Sequence, residues 1–332
     1  MRSILKAVVA ALALLVAVAV AYLAANRVPD RPVEVLKPRW ATPPSRFIDV
    51  AGMSVHVRDE GPRDDPMPLL LLHGTGSSLH TWDGWSAQLA ASRRVVRFDM
   101  PGFGLTGPAV DGNYAIENYA RVAVAVMDQL GIRHAVLAGN SLGGYVAWAT
   151  AVLYPGRVDA LVLVDSAGYP FESQSVPIGF RIATMPVLNR LMQDVLPRGV
   201  VESSVRNVYG DPAKVTPELV DRYFDLVTRA GNRQSLVQRF EQTKPGTLAA
   251  RIPELRVPTL VLWGGRDRLI PPASAERFHR EIRGSELVVF DVLGHVPQEE
   301  DPVATGAALA RFLSRIPSAR PMSPVTADMR RN

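Results

Sequence analysis

The sequence predicts an α/β fold, with a mainly parallel, doubly wound sheet, helices on both faces and an inserted helical cap. Three observations predict it. Short continuously apolar runs such as "PLLLLHG" alternate with segments of helical spacing, the pattern of parallel strands buried on both faces. That alternation stops over residues 170–247, which lack convincing strands, and resumes at "PTLVLWGGRD". The length of 332 residues, with 47% hydrophobic and 21% charged residues, suits one large globular domain with an insert and tails.

The chain begins with an anchor or signal over residues 1–27. Arg2 and Lys6 precede an uncharged run from Ala7 to Ala25. At 1.5 Å per residue, its nineteen residues nearly span a hydrocarbon core. A cleaved signal carries a shorter apolar region, about 7–15 residues. An uncleaved single-span anchor is therefore the favoured reading, and secretion after cleavage the alternative. Arg2 and Lys6 favour a cytoplasmic N-terminus and a periplasmic or otherwise extracytoplasmic body, whereas Arg27, Arg31, Lys37 and Arg39 oppose it. Residues 28–45 hold five prolines and read as an extended linker.

The core is expected over 46–169 and 248–316. "RFIDVAGMSVHVRDEG" reads as a hairpin turning at Gly52. The strand of "PLLLLHG" leads into the helical spacing of "SLHTWDGWSAQLAAS", and "RRVVRFDMPG" is a further strand. Residues 114–131 are helical, "HAVLAGN" a strand, 142–154 a helix and "DALVLVDSAG" a strand. In the cap, 170–247, "PIGFRIATMPVLNRLMQDVL" and "TPELVDRYFDLVTRAG" look helical, with Thr216 as N-cap and Pro217 at the first helical position. A helix near 272–282, the strand "ELVVF" and a helix near 302–315 close the domain, and 317–332 reads as a disordered tail.

Composition excludes several chemistries. The absence of cysteine removes disulfides, thiolate metal sites and a cysteine nucleophile. The net charge of +5 comes from dispersed arginines with no basic cluster among aromatics, so nucleic-acid binding is not expected. His56, His80, His134 and His279 are scattered without metal-ligand spacing, and neither a metal nor an organic cofactor is needed.

"AGNSLGGYVA" places Ser141 between glycines, after a strand and before a helix. Gly139-Asn140-Ser141-Leu142-Gly143 fits G-x-S-x-G, whose serine sits on a strained turn with its hydroxyl above the sheet. The Leu142 N–H, at the helix start, points where negative charge would collect. A serine hydroxyl needs a base, and the base an orienting carboxylate. Asp267 in "GGRDRLIP" and His295 in "VLGHVPQEED" each follow a strand and supply them in the order Ser, Asp, His. Asp165 also ends a strand and is the rival acid. The bland alternatives are a turn-only Ser141 and a His295 paired with Glu299 or Glu300.

From about Phe47 to Ser314 the chain resembles the α/β-hydrolase superfamily. The landmarks are "HGTG" at 73–76, "DMPGFGLTG" at 99–107, "GNSLGG" at 139–144, "GGRDRLIP" at 264–271 and "GHVPQEEDP" at 294–302. The resemblance implies a Ser141 nucleophile, His295 as base, Asp267 as orienting acid, and an oxyanion hole from the N–H groups of Thr75 and Leu142. It also implies that His73 and Gly74 shape the oxyanion loop, that Gly139 and Gly143 allow close packing at the turn, and that Asp99 ties the loop at 100–107. Asn140 is expected to bond locally. The implied activity is ester or related acyl hydrolysis on a small, apolar acyl substrate. Carbon–carbon bond hydrolases of aromatic catabolism share "GNSLGG" and a helical lid, but their pattern places tryptophan where this chain has Val296. A catalytically silent ligand binder is the non-enzymatic alternative.

Overall fold

Eight strands form one sheet in the computed structural model, which describes residues 1–244 and 246–316. They are β1 (Arg46–Val50), β2 (Met53–Glu60), β3 (Leu69–Leu72), β4 (Val95–Phe98), β5 (Ala135–Asn140), β6 (Val158–Val164), β7 (Thr259–Gly264) and β8 (Glu286–Phe290). Their order is β1-β2-β4-β3-β5-β6-β7-β8. β2 is antiparallel to β1 and β4, and every other pairing is parallel. The hairpin turns through Ala51 and Gly52 at φ 53° and 76°, the double left-handed geometry of a two-residue turn matched to strand twist.

The apolar runs work as a parallel sheet requires. Leu70 and Leu72 of β3 join one core cluster, and Leu69 and Leu71 join the other. Each leucine is fully buried, contributing about 1.5–3 kcal/mol. Thirteen helices surround this frame among the described residues. α1 spans Arg2–Ala25, α2 Val33–Trp40, α3 Asp83–Leu89, α4 Ile116–Gln129 and α5 Leu142–Leu153. Between β6 and β7 lie α6 (Ile178–Thr184), α7 (Leu188–Leu191), α8 (Arg198–Val208), α9 (Pro217–Val227) and α10 (Asn232–Gln242). α11 (Ala273–Glu281), α12 (Pro297–Glu300) and α13 (Pro302–Leu313) complete the chain. α4, α5 and α11 supply one core face, including Val122, Val146 and Phe278, while α3 and α13 supply the other, including Trp85 and Leu309. Thr216 caps α9 as expected, its hydroxyl accepting from the Leu219 N–H at 3.2 Å.

Two expectations are corrected. Residues 28–45 are not an extended linker: α2 is docked on the body. Leu36 is buried against Leu105 and Leu226, with Val33 and Trp40 packed beside it. Asp225 of α9 accepts from Arg31 Nη1 at 2.5 Å, Trp40 Nε1 at 2.9 Å and Arg39 Nη1 at 3.1 Å. The second correction is a break in residues 177–196. α6 stops at Thr184 because Met185 precedes Pro186 and is held extended at φ −89°, ψ 121°. The expected tail, 317–332, lies outside the described residues. α1 has no buried residue and is long and apolar enough to cross a membrane by length and composition.

Candidate active site

Strand ends gather the chemistry. Ser141 follows β5 and precedes α5, with φ 56° and ψ −114°, a conformation costing a non-glycine residue about 1–3 kcal/mol. The surroundings enforce it. Its N–H donates to Val164 O at 3.0 Å, and its carbonyl accepts from Ala167 at 3.1 Å. A Cβ on Gly139 would collide with the Gly143 carbonyl, and one on Gly143 with the Leu72 carbonyl. Both glycines are therefore required by the close passage of β5, α5 and β3.

His295 leaves the loop after β8, and its backbone N–H donates to Val208 O at 2.7 Å. Its Nδ1 meets Asp267 Oδ2 at 2.7 Å, and both residues are buried. The other oxygen, Asp267 Oδ1, accepts from the N–H groups of Leu269 at 2.8 Å and Ile270 at 3.0 Å. These three bonds fix both the carboxylate and the imidazole.

The rival acid lies close by but is wired differently. Asp165 stands at φ 44° after β6, and its Oδ1 accepts from the Gly264 N–H at 3.0 Å. Its Oδ2 is buried without a hydrogen-bond partner. Burial, and then the neighbouring Asp267 carboxylate, push its pKa well above the usual carboxylate range. Asp165, Asp267 and His295 bring ligating atoms within 4.8 Å of one another. The Nδ1 of that imidazole bonds Asp267, which fixes the orientation of the ring.

Ser141 and His295 line one cavity, together with Thr75. No Ser141–His295 hydrogen bond is made, a separation common before substrate binds. Leu142 opens α5, so its N–H has no intrahelical partner. The roof is apolar, with Phe180, Met192, Leu196, Val200, Val205 and Leu236 from the inserted helices. Arg233 also lines it, but its guanidinium pairs with Asp30 at 2.5 Å.

The supporting residues fall into place. His73 Nδ1 bonds the Gly74 carbonyl at 2.8 Å and its Nε2 accepts from the Met100 N–H at 2.9 Å, which fixes a neutral tautomer. Burial lowers its pKa. Asp99 accepts from Leu105 N–H at 2.8 Å within the 100–107 loop and meets His56 Nδ1 at 2.7 Å. Among the scattered histidines, His80 Nε2 bonds the Trp40 carbonyl at 2.9 Å, His134 meets Asp159 at 2.5 Å and His279 meets Ser285 at 3.0 Å.

Two features escaped sequence reasoning. Asn140 reaches across the site, donating to the His295 carbonyl at 2.9 Å and so tying the serine turn to the histidine loop. Glu299 bonds side chains of the inserted region and Glu300 backbone N–H groups, neither of them bonding the His295 ring. Glu299 accepts from Arg222 at 2.6 Å and from Tyr209 at 2.8 Å, and Glu300 from the N–H groups of Gly210, Asp211 and Gly294, each at 2.9 Å. The acidic pair four and five residues after the histidine was the available signal.

The model of the alpha/beta hydrolase fold family matches residues 67–302. A 2-hydroxymuconate semialdehyde hydrolase of Pseudomonas sp. (strain CF600) is 30% identical over 286 residues, covering 82% of this chain and 95% of that protein. Among solved structures, a mutant meta-cleavage product hydrolase of Pseudomonas fluorescens IP01 superposes with TM-score 0.70 at 26% identity, covering 81% of this chain and 97% of the other. A membrane phospholipase A described as a bacterial virulence factor gives TM-score 0.70 at 25% identity, covering 95% of this chain and 99% of the other. With its mostly parallel eight-stranded sheet and the match over most of its length, this chain belongs to the α/β-hydrolase fold family.

Proposed function

We propose that this chain is a membrane-anchored serine hydrolase cleaving carboxylic esters of apolar acyl groups through an acyl-enzyme. The carrying observation is Ser141 on its strained turn, sharing an apolar cavity with an imidazole fixed by Asp267. His295 Nε2 takes the Ser141 hydroxyl proton as Oγ attacks the acyl carbon. Asp267 stabilises the imidazolium. The N–H groups of Thr75 and Leu142 receive the oxyanion, each such donor being worth about 10²–10³ in rate. The imidazolium then protonates the leaving alkoxide, and water activated by His295 releases the acid and restores Ser141.

α1 would supply the anchor, and Arg2 and Lys6 favour an exported body, against Arg27, Arg31, Lys37 and Arg39 on the other flank. The membrane phospholipase A supports this reading, because its overlap with 95% of this chain is too long to be met by residues 46–316 alone.

Cleavage of a carbon–carbon bond in a vinylogous diketone is the second reading. Sequence similarity favours it over ester cleavage, through the 2-hydroxymuconate semialdehyde hydrolase and the meta-cleavage product hydrolase. Cavity chemistry favours the ester: a carboxylated substrate needs a cationic partner, and Arg233 is already neutralised by Asp30.

The test uses the full chain in detergent. Fluorophosphonate is expected to add once to the wild type, more slowly to His295→Ala and not to Ser141→Ala, by intact mass. Absence of an adduct on a folded chain that still binds an acyl ligand would favour the silent binder. Initial rates on an ester chain-length series against a vinylogous diketone acid then choose between the two reactions.

A further inference from the structure

The inserted helices carry an apolar face that the catalytic core does not explain. Val187 is 73% exposed, and Met185, Leu188 and Leu191 beside it are also exposed. Val187 is held at φ 72°, a strained conformation for a β-branched residue, within this short exposed segment. A soluble surface gains nothing from such a cluster.

Its position relative to α1 gives the cluster an environment. Immediately after α1 the chain pairs with the segment that follows α7. Val28 N–H donates to Asp194 O at 2.8 Å, Leu196 N–H donates to Asn26 O at 3.1 Å, and Arg27 bridges Val195 antiparallel. The last turn of α1 and this segment therefore form one body. Tyr22 and Leu23 of α1 line a common groove with Leu188, Leu191 and Leu196. The 24 residues of α1 extend about 36 Å, so Tyr22 and Leu23 sit at one edge of a spanned hydrocarbon layer. Side chains meeting them in one groove lie at the same depth. Arg27, Arg181 and Arg190 are exposed nearby and make no ion pair among the described residues, as suits a surface facing anionic headgroups.

We infer that residues 185–191, with the last turn of α1, form a lipid-docking surface that seats the roof of the cavity on the bilayer. The same wall serves both sides: Met192, Leu196 and Val200 line the groove and also the cavity that holds Ser141. A three-residue apolar partition thus separates the bilayer from the site. Lipid-dissolved acyl esters enter through it without crossing water, a consequence that rests on the proposed ester cleavage and anchoring. Docking itself does not depend on the reaction.

The absence of cysteine makes the test direct. The full chain is reconstituted in phosphatidylcholine–phosphatidylglycerol vesicles containing doxyl-labelled phosphatidylcholine. An environment-sensitive fluorophore is attached in turn to Leu188→Cys, Leu191→Cys, Leu14→Cys within α1, and Val303→Cys on the exposed face of α13. Probes at 188 and 191 are expected to shift to the blue and lose emission to the doxyl lipids, while that at 303 does neither. Quenching at 14 but not at 188 and 191 would overturn the inference and leave the anchor intact. Quenching at 188 and 191 but not at 14 would overturn the anchor and leave docking standing; loss at none would overturn both. A blue shift without lipid quenching would mean that protein covers the face, which also overturns docking. As a second readout, Leu188→Asp with Leu191→Asp should cut turnover of a vesicle-embedded ester about tenfold and leave a short water-soluble ester unchanged. Equal loss on both substrates would overturn lateral entry.

Discussion

The floor and the roof of the cavity are built on different principles. The floor is backbone: Ser141, Gly139 and Gly143 are locked by carbonyls and amides of β3, β5 and β6, and Asp267 is held by two N–H groups of its own loop. The roof is side chain: α6 to α10 present apolar residues to the cavity and are tied down by ion pairs such as Arg222–Glu299 and Arg31–Asp225. Backbone locks tolerate almost no substitution, whereas ion pairs and apolar contacts can be exchanged one at a time. The floor therefore fixes the chemistry and the roof sets what reaches it. Removing a reactive side chain from the floor should abolish reaction at nearly constant stability, whereas substitutions in the roof should do the reverse.

The largest effect belongs to Ser141→Ala, which is expected to lower kcat about a million-fold with an unchanged thermal midpoint. Removing the hydroxyl also relieves no backbone strain, since alanine meets the same φ of 56°. Residual turnover within tenfold of wild type would break the assignment of the floor as the reactive part. Next come the two carboxyls. Asp267→Asn leaves the contacts in shape but stabilises the wrong imidazole tautomer, with an expected loss near 10⁴ in kcat. Asp165→Asn replaces a carboxyl whose pKa burial and then Asp267 push up and which bonds Gly264 rather than His295, so steady-state rates should stay within about tenfold. The reverse ranking would make Asp165 the working acid.

Legibility follows the same division. Strands and the Ser141 turn were readable because each depends on a few residues in sequence: four leucines for β3, G-N-S-L-G for the turn. Asp267 and His295 were readable because both follow apolar runs that had to be parallel strands. Asn140 was assigned only a local role, because its partner, the His295 carbonyl, is 155 residues away. The docked α2 was missed for a different reason. Five prolines in residues 28–45 outweighed a three-residue signal, Val33, Leu36 and Trp40, whose spacing places them on one helical face. Pro32 precedes that helix, and Pro38 lies inside it, where the bond back to Glu34 is lost, so the docked contacts and not the local sequence hold the helix. The partners that decide the outcome, Asp225 and His80, lie far along the chain.

The ties of this strap give the third prediction. Asp225→Ala strands Arg31, Arg39 and Trp40 Nε1 together. Because both arginines are partly exposed, solvent screening limits the loss to about 1–2 kcal/mol. Chemical denaturation should show that loss, and limited proteolysis should cut within residues 28–45 while the short-ester kcat stays near wild type. A matching fall in kcat would mean that the strap also positions the floor, and the contrast between the two regions would weaken.

The most gradual effect is a pH dependence, and it lies where the docked α2 segment meets the core. His80 is buried, and its Nε2–H donates to the Trp40 carbonyl while Nδ1 accepts from Ser78. Burial pushes its pKa down to about 3, against a modest opposing pull from Asp99. In the unfolded chain the same imidazole titrates near 6.5 (about the model-peptide value). Between those values the unfolded chain holds a proton that the folded chain does not. Stability from this group is therefore complete above pH of about 6.5 and falls as pH drops toward 3, by at most about 1.4 kcal/mol per unit. Asp99 does not mask the trend. Burial alone would raise its pKa, but His56 holds it below the usual carboxylate range, and the unfolded carboxylate takes up a proton only near pH of about 4, at the foot of that window. His80→Gln keeps an N–H donor within reach of Trp40 but does not titrate. At neutral pH the variant should be less stable than the wild type, through imperfect packing. The gap should close as pH falls from 6.5 to 4, because only the wild type pays to keep a neutral imidazole there. Parallel denaturation curves across that range would show that His80 stays out of the acid response and that the strap is loosened by other groups.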